Sequence, residues 1–158
     1  MIPVEVIGVR IEMPSNQPIV LLKEISGSRY LPIWVGTAEA TAIAFSQQGL
    51  KPQRPLTHDL LVDILNSEKI RLRSVHLTEL RDGIFYSDLV LVNEDGQEQK
   101  VSSRPSDAVA LAVRVEAPIL ATNELFEEAG ISIPEQGEDE IEKFKEDRKS
   151  TRLNSSHG

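Results

Sequence analysis

The chain has 158 residues, 40% of them hydrophobic and 27% charged, which suits one domain with a sizeable core. Its net charge of −8 excludes an overall basic footprint of the kind that captures nucleic-acid phosphates, leaving that work to a local basic patch or a bound divalent cation. There is no cysteine, so disulfides, thiolate nucleophiles and cysteine metal sites are excluded and any metal would need carboxylates or the three histidines.

No apolar run of about 18 residues occurs, and the N-terminus alternates as a strand where a secretory leader would carry a basic start and an apolar block. A cytoplasmic protein without a membrane anchor is therefore expected. Val4 to Glu12 reads as a strand ended by Pro14-Ser15-Asn16-Gln17-Pro18, Ile19 to Lys23 as a second, and Arg29 to Val35 as a third that carries the sole tryptophan, Trp34. Gly36-Thr37-Ala38-Glu39 opens a helix to about Gln48, with Ala40, Ile43, Ala44 and Gln47 on one side, and Gly49 closes it. After the stiff connector Lys51-Pro52-Gln53-Arg54-Pro55, Thr57 is a suitable N-cap for a helix to about Glu68 whose buried stripe is Leu60, Leu61, Ile64 and Leu65. Strands return over Ile70 to Leu80, Ile84 to Val92 and Glu98 to Ser102, separated by turns at Arg81-Asp82-Gly83 and Asn93-Glu94-Asp95-Gly96.

The strongest local signal follows, at Ser103-Arg104-Pro105-Ser106-Asp107. Ser103 or Ser106 can cap free N–H groups, Pro105 suits a first turn, and Asp107 sits where the helix dipole favours an anion. Ala108, Leu111, Ala112 and Val115 then repeat at helical spacing with small side chains, which lets the helix lie close to a sheet. Pro118 ends that helix region, Ile119 to Ala121 adds a strand, and Asn123 caps a short helix through Ala129 that Gly130 terminates.

Asp107 stands 68 residues after Glu39, and at that shift Glu39-Ala40-Thr41-Ala42-Ile43-Ala44 falls on Asp107-Ala108-Val109-Ala110-Leu111-Ala112. Strands fall on strands at the same shift. The expected fold is α+β, a mixed or antiparallel sheet with helices packed on it, built from duplicated βββα-like units around a pseudo-twofold axis. An acid followed by alanine at a helix start is also a common capping solution, so the match has a purely local reading as well.

The domain is expected over residues 1–133 and an acidic polar tail over 134–146. Residues 147–158 resemble a translated sequencing adapter and are set aside as a scar of gene assembly. Removing their three cations and one acid takes the net charge from −8 to −10.

Five stretches occur in order: Leu31-Pro32-Ile33-Trp34-Val35-Gly36, Glu39-Ala40-Thr41-Ala42-Ile43, Arg54-Pro55-Leu56-Thr57-His58-Asp59-Leu60-Leu61, Asp82-Gly83-Ile84-Phe85-Tyr86 and Arg104 to Ala112. Together, over roughly residues 1–130, they resemble the bifunctional nuclease (BFN) domain family. Ile84 stands where that family more often has Thr or Val. The resemblance implies a compact α+β domain, a homodimer in its bacterial form, and a nuclease acting on DNA and RNA.

Cleaving a phosphodiester needs an activated water, stabilisation of transition-state charge and a proton for the leaving oxygen. Glu39, Asp59 and Asp107 are the candidate ligands for Mg²⁺ or Mn²⁺, and no organic cofactor is expected. Arg54 and Arg104 are the candidate phosphate clamps, and His58, Asp59, Arg104 and Asp107 the candidate catalytic set, with His58 as acid or base. The competing reading is a non-catalytic dimeric binding or regulatory module. In it Asp59 and Asp107 complement helix dipoles, and Arg54 and Arg104 pair with them to fix the connectors. His76 reads as packed or hydrogen-bonded. Trp34 and Tyr86 read as base-stacking groups, or Trp34 as an anchor of a core or subunit contact. Arg71 and Arg73 share a strand face, as a phosphate patch or as solvation of an edge.

Overall fold

In the computed structural model, which describes residues 1–132, two three-stranded meanders flank one short central strand in a single eight-stranded sheet. The tail and adapter segments expected beyond residue 133 lie outside the described residues. The first meander is β1 (Ile2–Glu12), β2 (Gln17–Glu24) and β3 (Arg29–Trp34), followed by helix α1 (Thr37–Gln48). Helix α2 (Thr57–Ser67) comes next, then the second meander β4 (Arg71–Arg81), β5 (Ile84–Val92) and β6 (Glu98–Ser103) with its helix α3 (Pro105–Val115). The chain continues through β7 (Ile119–Ala121), α4 (Asn123–Ala129) and β8 (Ile131–Ser132). The sheet order is β6-β5-β4-β7-β1-β2-β3-β8, antiparallel throughout except where β7 runs parallel to β4.

The α+β fold is therefore as expected. The 68-residue shift relates the bounds of β1, β2, β3 and α1 to those of β4, β5, β6 and α3 within one or two residues. Two like meanders each leading into a helix do not by themselves make copies of one unit, and α2, α4, β7 and β8 fall outside the scheme.

The β4–β5 hairpin turns on Asp82 and Gly83, at φ 54° and 77°, the left-handed pair that suits the strand twist. Gly49 ends α1 at φ 70°, and the next N–H, of Leu50, returns to Phe45 O at 2.9 Å. Alanines bring α1 and α3 together: Ala40, Ala42, Ala108, Ala110 and Ala112 are buried with Ile43, Val109 and Leu111 over Val20, Leu22, Leu31, Val75 and Leu77 of the sheet. Fully burying such side chains contributes on the order of 1.5–3 kcal/mol for each Val, Leu or Ile.

Several local expectations are corrected. The N-cap of α2 is Leu56, with Thr57 already helical. Thr122 caps α4, its Oγ1 accepting the Leu125 N–H at 3.1 Å, so Asn123 is the first helical residue. Neither Ser103 nor Ser106 caps α3; Arg104 occupies the N-cap and Pro105 the first turn. Trp34 is not a core anchor, since it is exposed at the end of β3. Arg71 and Arg73 precede the stretch Val75–Leu77 that β7 covers, so that end of β4 pairs with β5 alone, and Arg73 is paired with Glu98.

The largest correction is to α2. Three of the four stripe residues face outward, Leu60 at 52%, Ile64 at 50% and Leu61 at 40% exposed beside the N-cap Leu56 at 39%, while Leu65 is half-buried. The buried pair is His58 with Val62, four residues apart and so on one face, turned toward α3.

Candidate functional site

Helices α1, α2 and α3 each carry an acid at the third position of the first turn: Glu39, Asp59 and Asp107. The helix dipole favours an anion there, and a carboxylate in that place can return to the N-cap N–H. Two of the three do so. Gly36 N–H donates to Glu39 Oε1 and Leu56 N–H to Asp59 Oδ2, both at 3.0 Å.

Asp107 is spent differently. Its Oδ1 lies 2.9 Å from His58 Nε2 and its Oδ2 accepts from Arg104 Nε at 2.9 Å. The same guanidinium reaches α1, with an Arg104 terminal nitrogen 3.7 Å from Glu39 Oε1. One exposed arginine thus ties the mouths of two helices together, while its side chain stays 68% accessible. Glu39, His58, Arg104 and Asp107 are brought into one cluster.

Burial alone would raise the Asp107 carboxyl, but hydrogen bonds from Arg104 and His58 outweigh it and hold the group below the ordinary aspartate range. Asp107 is therefore an anion at neutral pH, and an anion at Nε2 favours the imidazole tautomer with its proton on that nitrogen. Nδ1 then carries the lone pair. It has no hydrogen-bond partner among the described residues, and His58, only 6% exposed, lines an open cleft of about 490 Å³ between α1, α2 and α3. Phe45, Leu50, Lys51, Asp63 and Arg114 share that lining. A carboxylate holding one nitrogen of an imidazole that lines a cleft, with the other nitrogen left without a partner among the described residues, is an arrangement suited to an oriented general base.

The other candidates lie apart. Asp59 pairs with Arg114 Nε at 2.7 Å, and here too burial would raise the carboxyl while the Arg114 hydrogen bond and the Leu56 N–H lower it further than burial raises it. Arg54 is exposed and makes no ion pair with a described residue, so its expected pairing with Asp59 fails. Arg114 takes that place from the last turn of α3. Nothing in its local sequence pointed to it, because the contact depends on α2 crossing α3.

The carboxylates nominated for a divalent ion do not fit one shared site. Cations already occupy Asp59 and Asp107, Glu39 returns to its own helix, and among the described residues no three His, Asp or Glu side chains converge as a metal set would. His76 is hydrogen-bonded, its Nε2 3.2 Å from Ser74 Oγ, and burial followed by the Lys100 charge lowers its pKa. Arg81 lies 4.5 Å over the Tyr86 ring, which occupies one face of that ring. Among the described residues no helix is long and apolar enough to cross a membrane.

Comparison with known proteins gives three findings. The family profile described as bifunctional nuclease domain matches residues 20–134. An uncharacterized protein of Mycobacterium tuberculosis is 47% identical over 152 residues, 90% of each chain. Bifunctional nuclease 1 of Oryza sativa subsp. indica and the bifunctional nuclease of Oryza minuta are each 24% identical over 120 residues, covering 75% of this chain and 36% of theirs.

Proposed function

The chain belongs to the bifunctional nuclease domain family, and from that membership we propose that it cleaves phosphodiester bonds in DNA and RNA with His58 as general base. The observation that carries the reading is the divergence of Asp107 from Glu39 and Asp59: its carboxylate is withdrawn from capping and given to His58 and Arg104. In this reading His58 Nδ1 takes a proton from a water as that oxygen bonds to phosphorus. Asp107 steadies the imidazolium that forms, and the free N–H groups of Arg104 hold the phosphate oxygens. The leaving oxygen takes its proton from solvent. No step is assigned to a metal, since the donor set does not fit one; a divalent ion carried in on the substrate's phosphates is an experimental variable. Two copies form part of the proposal, as the resemblance implies.

The test is cleavage of labelled DNA and RNA oligonucleotides by the full chain, in chelator and with added Mg²⁺ or Mn²⁺. His58→Ala is expected to lower the rate about 10²–10⁴-fold with folding intact by circular dichroism. Equal cleavage by wild type and His58→Ala would mean a contaminating nuclease.

One observation favours the non-catalytic module instead. Every acid of the three helix mouths has a partner within its own chain, on a protein of net charge −8. Absence of turnover under all those conditions, together with a thermal shift on adding an oligonucleotide, would select that reading.

A further inference from the structure

The sole tryptophan of the chain is held in a fixed place and left bare. Ile33 and Val35 on either side of Trp34 are buried, its strand partner is Ile19, and the Val35 N–H donates to Pro18 O at 3.1 Å, so the backbone that carries it is set by the core. Trp34 itself is 52% exposed. β8 pairs only with Arg29 and Tyr30 of β3, so no strand lies beside Trp34 on that side. Tyr86 carries the Arg81 guanidinium over one ring face, whereas no described cation lies over Trp34.

The chain itself sets what lies close by. Two residues on, Gly36 begins α1, its N–H donating to Glu39 Oε1 at 3.0 Å, and that same oxygen is 3.7 Å from a terminal nitrogen of Arg104. Two residues of chain reach no further than about 7 Å, so the Arg104 guanidinium lies within about 14 Å of the Trp34 Cα. A single strand covers that distance in about four stacked nucleotides, and in fewer when extended.

We propose that Trp34 is the stacking platform for an unpaired base of the substrate, a few nucleotides from the phosphate held by Arg104, and that the substrate is single-stranded DNA or RNA. This rests on the nucleic-acid part of the reading above and names its substrate class. A base offers its π-face only where it is unpaired or splayed out, because in a duplex its stacked neighbours cover both faces. Every base has such a face, so stacking takes DNA and RNA alike and tolerates any sequence. The charge of the chain points the same way. A duplex is gripped mainly through the counterions that many lysines and arginines release, and a chain of net charge −8 has few to spare. Stacking supplies the affinity that the charges do not.

The experiment is titration of the full chain with phosphorothioate oligonucleotides, which resist hydrolysis, as a single strand and as the duplex of the same sequence. Emission from the one tryptophan reports stacking directly. Quenching that saturates with the single strand, and none with the duplex, is expected. Trp34→Ala should bind a labelled single strand about 5- to 150-fold more weakly by anisotropy. Its far-UV spectrum should be unchanged, since the side chain is exposed, and so should the salt dependence of binding, since no phosphate contact is lost. Trp34→Phe should recover most of the loss. No binding of the single strand, unquenched emission at saturation, a Trp34→Ala variant as tight as wild type, or duplex binding as tight as single-strand binding would each overturn the platform. So would emission that shifts on dilution without nucleic acid, which would place the indole against another protein molecule. Cleavage of unmodified strands by the same samples keeps the two readings apart: turnover without quenching ends this inference alone, and quenching without turnover ends only the nuclease.

Discussion

The mouths of α2 and α3 are spelled with nearly the same residues and do different work. Arg54-Pro55-Leu56-Thr57-His58-Asp59 and Arg104-Pro105-Ser106-Asp107 both lead an arginine and a proline into a helix with an acid at its third position. In α3 the arginine is the N-cap, three residues from its acid, and the two side chains bond at 2.9 Å. In α2 two further residues intervene, so Arg54 lies outside the helix, Asp59 turns back to Leu56 N–H, and Arg114 supplies the cation. Two residues of spacing decide whether an arginine braces its own helix or is left for something else. The same insertion places His58 where α2 can present it to Asp107.

That contrast can be broken most severely at Asp107. Asp107→Ala removes the partner of a buried histidine and of Arg104 together, and is expected to cost about 2–3 kcal/mol, read from the midpoint of urea unfolding. Asp107→Asn should keep most of that stability while lowering cleavage, because the amide can still hydrogen-bond His58 without stabilising its cation. A fall in stability as large as for Ala would make charge, rather than hydrogen bonding, the main role.

At the other mouth the same change should weigh less. Asp59→Ala loses one N-cap bond and one partly exposed ion pair, about 1 kcal/mol, and Arg114→Ala should match the ion-pair share of it. Acid sharpens the comparison further. The folded-state pKa values of Asp107 and Asp59 are both lowered, so their contribution to stability is complete above the ordinary value of 3.8 and is lost as pH falls through the lower folded values. His76, also lowered, adds an earlier loss that begins as pH drops below 6.5, where the unfolded chain takes up the proton first. Urea midpoints from pH 7 to pH 3 should therefore decline in two stages, with His76→Gln removing the first. The smallest effect belongs to Arg54→Ala, within about 0.5 kcal/mol for folding, since it is exposed and has no ion pair with a described residue.

Much of this molecule was legible without coordinates. Strand alternation, the Asp82-Gly83 turn, Gly49 past α1 and Pro105 inside α3 marked the elements to within a residue or two, because such signals act on the backbone locally. Glu39, His58, Arg104 and Asp107 were all candidates from their types and places. What was missed concerns partners and sides. Leucines at helical spacing say that one face of α2 is apolar, and hydropathy does not say what lies over that face.

The amino-acid order by itself determined the elements, the three acid-bearing helix starts and the α+β class, since dihedral preference, turn chemistry and dipole are properties of neighbours along the chain. Only the tertiary structure decided that Asp107 meets a histidine 49 residues away, that Arg114 displaces Arg54 at Asp59, and that α2 turns its leucines outward. Those outcomes depend on how helices cross, and crossing is set by the alanines that let α1 and α3 close over the sheet, leaving α3 as the main support against which α2 buries His58 and Val62.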